Sequence, residues 1–95
     1  MARRRYLIAY DIADPVRLRA VCKLMEAYGR RLQYSVFLCD LSRAELATWE
    51  MRIRDLVVLS EDSIIRLDLG PMATAAPITT LGVPRKFPEH GSQIY

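Results

Sequence analysis

The run Tyr6-Leu7-Ile8-Ala9-Tyr10-Asp11-Ile12 limits what this chain can fold into more than any other stretch. Five apolar residues follow one another and end on a carboxylate, a length that suits a strand and falls far short of a membrane span. The unbroken apolar character predicts a central strand buried on both faces. Alternation places Leu7, Ala9 and Asp11 on one face and Tyr6, Ile8, Tyr10 and Ile12 on the other. Asp14-Pro15 then predicts a helix start, with Asp14 as N-cap and Pro15 at the first helical position. Asp11 therefore stands at the carboxyl end of a core strand, on a rigid base beside an open side, and is the first candidate for chemistry.

A helix is predicted from Pro15 to Tyr28, because Leu18, Val21, Cys22 and Met25 recur at helical spacing while Arg19, Lys23 and Glu26 fall on another face. Gly29 is expected to end it in a left-handed conformation. Arg17 and Arg19 lie in its first two turns, where cations are disfavoured by the helix dipole, so they point to an anionic ligand or to carboxylate partners. Residues 30 to 41 are rich in strand formers and form one long strand or two short ones bent near Tyr34-Ser35. Phe37 and Tyr34 either stack on bases or fill the core. Ser42-Arg43-Ala44-Glu45 is a capping box that opens a second helix. Its buried stripe is Leu46, Trp49, Ile53, Leu56 and Val57, and its end is expected near Leu59-Ser60. A turn at Glu61-Asp62-Ser63 leads into a strand from Ser63 to Leu69, broken at Gly70-Pro71. Residues 75 to 81 form a further edge strand, since Pro77 keeps them out of a sheet centre.

The resulting order is that of a ferredoxin-like βαββαβ sandwich, α+β, with an antiparallel sheet and two helices on one face. Residues 1–82 make the domain and 83–95 a tail that is flexible or docked on a partner. At 95 residues, with 52% of them hydrophobic, the chain has apolar surface to spare for a partner. A net charge of +3 and 12 arginines among 14 basic residues lean towards nucleic acid. Cys22 and Cys39 fall in apolar segments with no metal-ligand spacing and read as buried free thiols of a reducing compartment. With no signal-like segment and no membrane span, a cytoplasmic protein is expected.

Taken together, Tyr10-Asp11-Ile12, Arg17 and Arg19, Tyr28-Gly29, Gln33-Tyr34-Ser35-Val36-Phe37 and Glu61-Asp62-Ser63 make an ordered set over residues 4 to 69. That set resembles the CRISPR-associated Cas-two family, a small nuclease-like component of the spacer-acquisition machinery. The resemblance implies a homodimer in which the last strand of each protomer joins the sheet of the other. It also implies that Asp11 of both chains faces the dimer axis and holds Mg²⁺ or Mn²⁺, as catalytic and metal-binding residue. Two carboxylates about 4 Å apart would repel by roughly 4 kcal/mol at an effective dielectric of 20, so a cation or a shared proton is needed between them.

The activity implied is metal-dependent endonuclease cleavage of RNA or DNA. Arg17, Arg19 and Arg31 would then lie on phosphate, with Phe37 positioning or packing. The acquisition role implied is binding of double-stranded DNA and of the Cas-one integrase, with Arg3, Arg4 and Arg5 as further phosphate contacts and the tail docking on the integrase. Asp14 is a rival ligand whose N-cap role accounts for it better. The chain departs from its relatives at Leu38 and Cys39, where an acidic residue often follows Phe37. Two other readings are a non-catalytic structural adaptor and a toxin-type ribonuclease of the same fold.

Overall fold

The computed structural model describes residues 2–83. The element order is β1 (Arg4–Asp11), α1 (Pro15–Tyr28), β2 (Arg30–Gln33), β3 (Val36–Leu41), α2 (Arg43–Leu56) and β4 (Ser63–Pro71), followed by a short 3₁₀ turn at Met72–Thr74. The strands form one antiparallel sheet in the order β2-β3-β1-β4. With both helices on one face this is the ferredoxin-like sandwich. The tail docking expected for residues 83–95 falls almost wholly outside the described residues.

Both helix starts follow from local chemistry. The Asp14 carboxylate accepts from the Arg17 backbone N–H (2.9 Å), and Pro15 opens α1. At α2 the Ser42 hydroxyl accepts from the Glu45 N–H (3.2 Å) while the Glu45 carboxylate accepts from the Ser42 N–H (2.8 Å). That reciprocal box satisfies two donors that the first turn would otherwise leave bare. The second helix stops at Leu56, earlier than its apolar pattern suggests: Val57 is already extended, and the chain turns between Val58 and Asp62, whose amide donates to the Val58 carbonyl (2.8 Å).

The core lies between the sheet and the helices. Tyr6, Ile8, Tyr10 and Ile12 are buried there with Phe37, Cys39 and Leu41 of β3, Val21, Cys22, Leu24 and Met25 of α1, and Trp49 and Ile53 of α2. Trp49 is the anchor expected of it, and its indole N–H donates to the Met25 sulfur (3.2 Å). Both cysteines are buried and free, and burial pushes the Cys39 thiol up to about 12.

Of the two arrangements open for residues 30–41, the structure has two strands joined by a turn at Tyr34-Ser35, with a register shift between Arg31 and Gln33. Three expectations are corrected. The first strand is not buried on both faces. Leu7 and Ala9 are half-buried, and among the described residues no helix covers the second face of the sheet. The last strand runs on through Gly70 to Pro71, and among the described residues 75–83 form no strand.

The third correction concerns Gly29. It ends α1 in an extended conformation (φ −162°, ψ −173°) rather than a left-handed one. Glycine is needed there for space. A Cβ would collide with Cys39 Sγ and come to 2.5 Å from the Leu38 carbonyl oxygen. Gly29→Ala is therefore expected to lose about 1–3 kcal/mol of stability or more through overpacking. Adding Cys39→Ala should restore only part of it, because the Leu38 backbone remains. Urea unfolding of the single and double variants checks both statements.

Candidate functional site

The site is built at the carboxyl end of β1. Residues directly opposite in an antiparallel ladder share a face. Leu7 stands between Leu38 and Leu67, and Ala9 between Val36 and Ile65. Asp11 lies one step further along the same face, opposite Ser63. The uncovered face is thus an apolar field with Asp11 at one end. Ile65 is 65% exposed and Leu67 52%. At the other end Arg5 and Asp40 close the field as a two-pronged ion pair (2.8 and 3.0 Å). The Arg5 guanidinium holds the Asp40 carboxyl below its usual range.

Asp11 itself is exposed. Its carboxylate is a hard oxygen donor of the kind that Mg²⁺ and Mn²⁺ take. No group of three or more acidic, histidine or cysteine side chains that could hold a metal occurs among the described residues. Asp11 is not part of such a group among the described residues, so a cation held there would need further donors, such as water or the Asp11 of a second copy.

Arg17 is drawn away from the surface. Its Nε and Nη2 donate to the Asp62 carboxylate (2.9 and 3.1 Å), and Nη2 also donates to Glu61 (2.9 Å). Asp62 additionally accepts from the Ala13 N–H (2.9 Å) and the Val58 N–H (2.8 Å). Its side chain is shut off from solvent. One carboxylate thus ties the loop after Asp11, the first turn of α1 and the loop before β4 into a single unit. The Arg17 guanidinium, helped by the Val58 amide, holds the Asp62 carboxyl far below the ordinary carboxylate range against the opposing effect of burial. Of the two outcomes left open for Arg17, an anionic ligand or carboxylate partners, the fold supplies the second.

The other named residues are distributed as follows. Arg19 is exposed on α1. Arg31 lies on the helix side of the sheet with a side chain 6% exposed, its guanidinium over the Phe37 ring (5.2 Å to the centroid), against Cys22 and near Glu26 (4.0 Å). Phe37 is fully buried and stacks on Tyr10, with ring centroids 6.2 Å apart. Neither side chain is presented to solvent beside Asp11; Arg31 is the ladder partner of Phe37 and so shares its core-facing side of the sheet. Arg3 and Arg4 pair with Glu45 (2.9 Å) and Asp68 (3.1 Å) at the surface. Asp14 serves as the N-cap. Asp62 is the residue that sequence reasoning passed over, as part of a turn. The signal was available in Arg17, a cation at a helix N-terminus that requires a carboxylate.

Comparison with known proteins gives a consistent set. The family model described as CRISPR associated protein Cas2 matches residues 4–74. The chain is 41% identical over 70 residues to the CRISPR-associated endoribonuclease Cas2 1 of Rhodospirillum rubrum, covering 74% of this chain and 69% of that one. It is 39% identical over 82 residues to the CRISPR-associated endonuclease Cas2 2 of Thermus thermophilus, covering 86% and 88%. Among solved structures it is similar to the hypothetical protein TT1823 of Thermus thermophilus, with a TM-score of 0.75, 34% identity and coverage of 88% and 96%.

Proposed function

The chain belongs to the CRISPR-associated Cas2 family, and we propose on that premise that it works as a homodimer of the spacer-acquisition machinery, in defence against foreign nucleic acid. In this reading it binds double-stranded DNA and the Cas1 integrase, and it cleaves phosphodiester bonds of RNA or DNA with Mg²⁺ or Mn²⁺. One observation carries the reading: an exposed carboxylate, Asp11, at the end of an apolar sheet face that no helix covers among the described residues. A monomer that leaves Ile65 and Leu67 in water gains by burying them against a second copy. A two-fold pairing through this face makes the surface self-complementary and brings the two Asp11 side chains towards one axis.

The pair of Asp11 carboxylates would hold the cation, and water and phosphate oxygens would complete its shell. A divalent cation there supplies polarisation of the phosphodiester and acidification of a water. No histidine or lysine flanks Asp11 in sequence to serve as a general base. Arg19 is the phosphate contact of first choice, since Arg17 is held by two carboxylates and Arg31 is buried. Arg3 and Arg4 stand in exposed pairs, which water already weakens, so phosphate can displace their carboxylates.

The test compares wild type with Asp11→Ala on single-stranded RNA and on duplex DNA, with Mg²⁺ or Mn²⁺, and follows duplex gel mobility alongside. Loss of an outer-sphere partner costs metal sites about 10- to 100-fold, so loss of the ligand itself is expected to reduce cleavage by more than that. Duplex binding should persist. The second reading, a structural adaptor without catalysis, is favoured because no group of three or more candidate metal ligands occurs among the described residues. It prevails if neither protein cleaves while both bind duplex and the dimer is intact.

A further inference from the structure

We propose that the Glu61 carboxylate is a built-in competitor of nucleic acid: it occupies the outer edge of the Arg17 guanidinium beside Asp11, and a backbone phosphate displaces it on binding. The role rests on the reading of Asp11 as the place where a phosphodiester is held.

A guanidinium offers two forks of paired N–H groups, one formed by Nε with one Nη and one formed by the two Nη atoms. Asp62 fills the first fork of Arg17 with both of its oxygens (2.9 and 3.1 Å). The second fork is directed away from Asp62, because the group is planar. Glu61 meets that fork through Nη2 (2.9 Å), a one-point contact where the fork offers two. A phosphate carries two non-bridging oxygens and can engage both N–H groups at once, which is the geometry that suits arginine to phosphate.

Burial separates the roles of the two carboxylates. The Asp62 side chain is shut off from solvent and also receives the Ala13 and Val58 amides, so it stays. The Glu61 side chain is 58% exposed, and water weakens a pair of that kind. Arg17 can therefore exchange its outer partner and keep the inner one that holds the loops.

The position beside Asp11 is set by the backbone. Asp62 binds the amide of Ala13, two residues after Asp11, and Ser63 is the ladder partner of Asp11. Glu61 is carried on the same turn, where its N–H donates to the Val58 carbonyl (2.9 Å). A strand whose phosphate reaches Asp11 thus meets Glu61 as a like charge already standing on the nearest arginine.

The test uses the full chain in EDTA, where no cleavage intervenes, and a fluorescein-labelled blunt duplex DNA followed by anisotropy. Glu61→Gln should tighten duplex binding about 2- to 5-fold, the span of an exposed ion pair. Asp14→Asn keeps the N-cap and removes a charge from the start of the same helix without touching the outer fork, so it should change binding less than about 1.5-fold. In spectra of the nitrogen-15-labelled wild type, duplex should shift the Arg17 Nη resonances and leave its Nε–H on Asp62 in place. Inorganic phosphate, at the same concentration of phosphate groups, should shift neither.

The proposal is overturned if Glu61→Gln binds duplex no tighter than wild type, or if Asp14→Asn gains as much, which would make the effect one of net charge. It is overturned equally if duplex leaves the Nη resonances unmoved, or if inorganic phosphate moves them as far. Those failures leave the Asp11 reading standing. Cleavage that survives Asp11→Ala removes that reading without touching the binding measurement.

Discussion

Replacing Phe37 by alanine is expected to cost about 3–5 kcal/mol of folding stability, one of the largest effects available in this chain. The ring is fully buried, stacks against Tyr10 on one side, and carries the Arg31 guanidinium on the other. Truncation opens a hole bounded by a strand on either side, which relaxes poorly, and strips Arg31 of the face it rests on. Phe37→Leu keeps most of the volume and should lose less than half as much. Urea unfolding followed by circular dichroism, at one fixed protein concentration, decides the matter, since dimerisation would otherwise shift the midpoint. In this account any loss of nucleic-acid binding in Phe37→Ala tracks the loss of fold. A variant that keeps its unfolding midpoint but loses binding would return Phe37 to the direct contact that the family resemblance implies.

The contrast between Phe37 and Asp11 illustrates what was legible in the sequence. Elements set by neighbours in the chain could be read directly: the Asp14-Pro15 start of α1, the Ser42–Glu45 box of α2, and the alternation along β1 that separates Ile8 and Tyr10 from Ala9 and Asp11. Features set by distant residues could not. The hairpin at Tyr34-Ser35 carries no Gly, Pro, Asn or Asp, so the pairing of Gln33 with Val36 was needed to decide between one strand and two. Gly29 looked like a helix terminator of the left-handed kind, whereas the constraint comes from Cys39 and Leu38 across the sheet.

Burial was the harder quantity. An apolar strand with one face on helices and the other awaiting a partner has the same sequence signature as a strand covered twice. Ile65 and Leu67 were thus recognisable as apolar but not as exposed, and Leu7 and Ala9 not as half-buried. Arg17 was visible as a cation that wanted a counterpart, and Arg31 entered only as a phosphate contact implied by the family resemblance. The counterparts lie elsewhere in the fold: Asp62 is 45 residues away, and the Phe37 ring reaches Arg31 only through strand pairing.

Asp62→Asn should remove the knot that holds the Asp11 end of the molecule together, and it should do so in a pH-dependent way. The carboxylate serves four donors: the Ala13 and Val58 amides and two guanidinium N–H groups of Arg17. An asparagine keeps the shape but loses the charge, and it presents its own N–H₂ donors to a site made entirely of donors. The folded-state pKa of Asp62 is depressed, chiefly by the Arg17 guanidinium. Its stabilisation is therefore fully present above the unfolded value, about 3.9, and is lost as pH falls from there towards the folded value. The gap in stability between wild type and Asp62→Asn should be widest at neutral pH and should close in acid, as wild type acquires the proton that the variant mimics. Other carboxylates held down by arginines, among them Asp40 and Glu50, leave the variant some acid sensitivity of its own. Glu61→Gln is the control: Glu61 also pairs with Arg17, but its carboxylate is more than half exposed, so its loss should matter little. Urea midpoints of the three proteins from neutral pH down to about pH 2.5, the range over which an aspartate with a lowered pKa takes up its proton, measure this. A constant gap across that range would mean that the charge on Asp62 is not what holds the loops, and that the two amide contacts alone do.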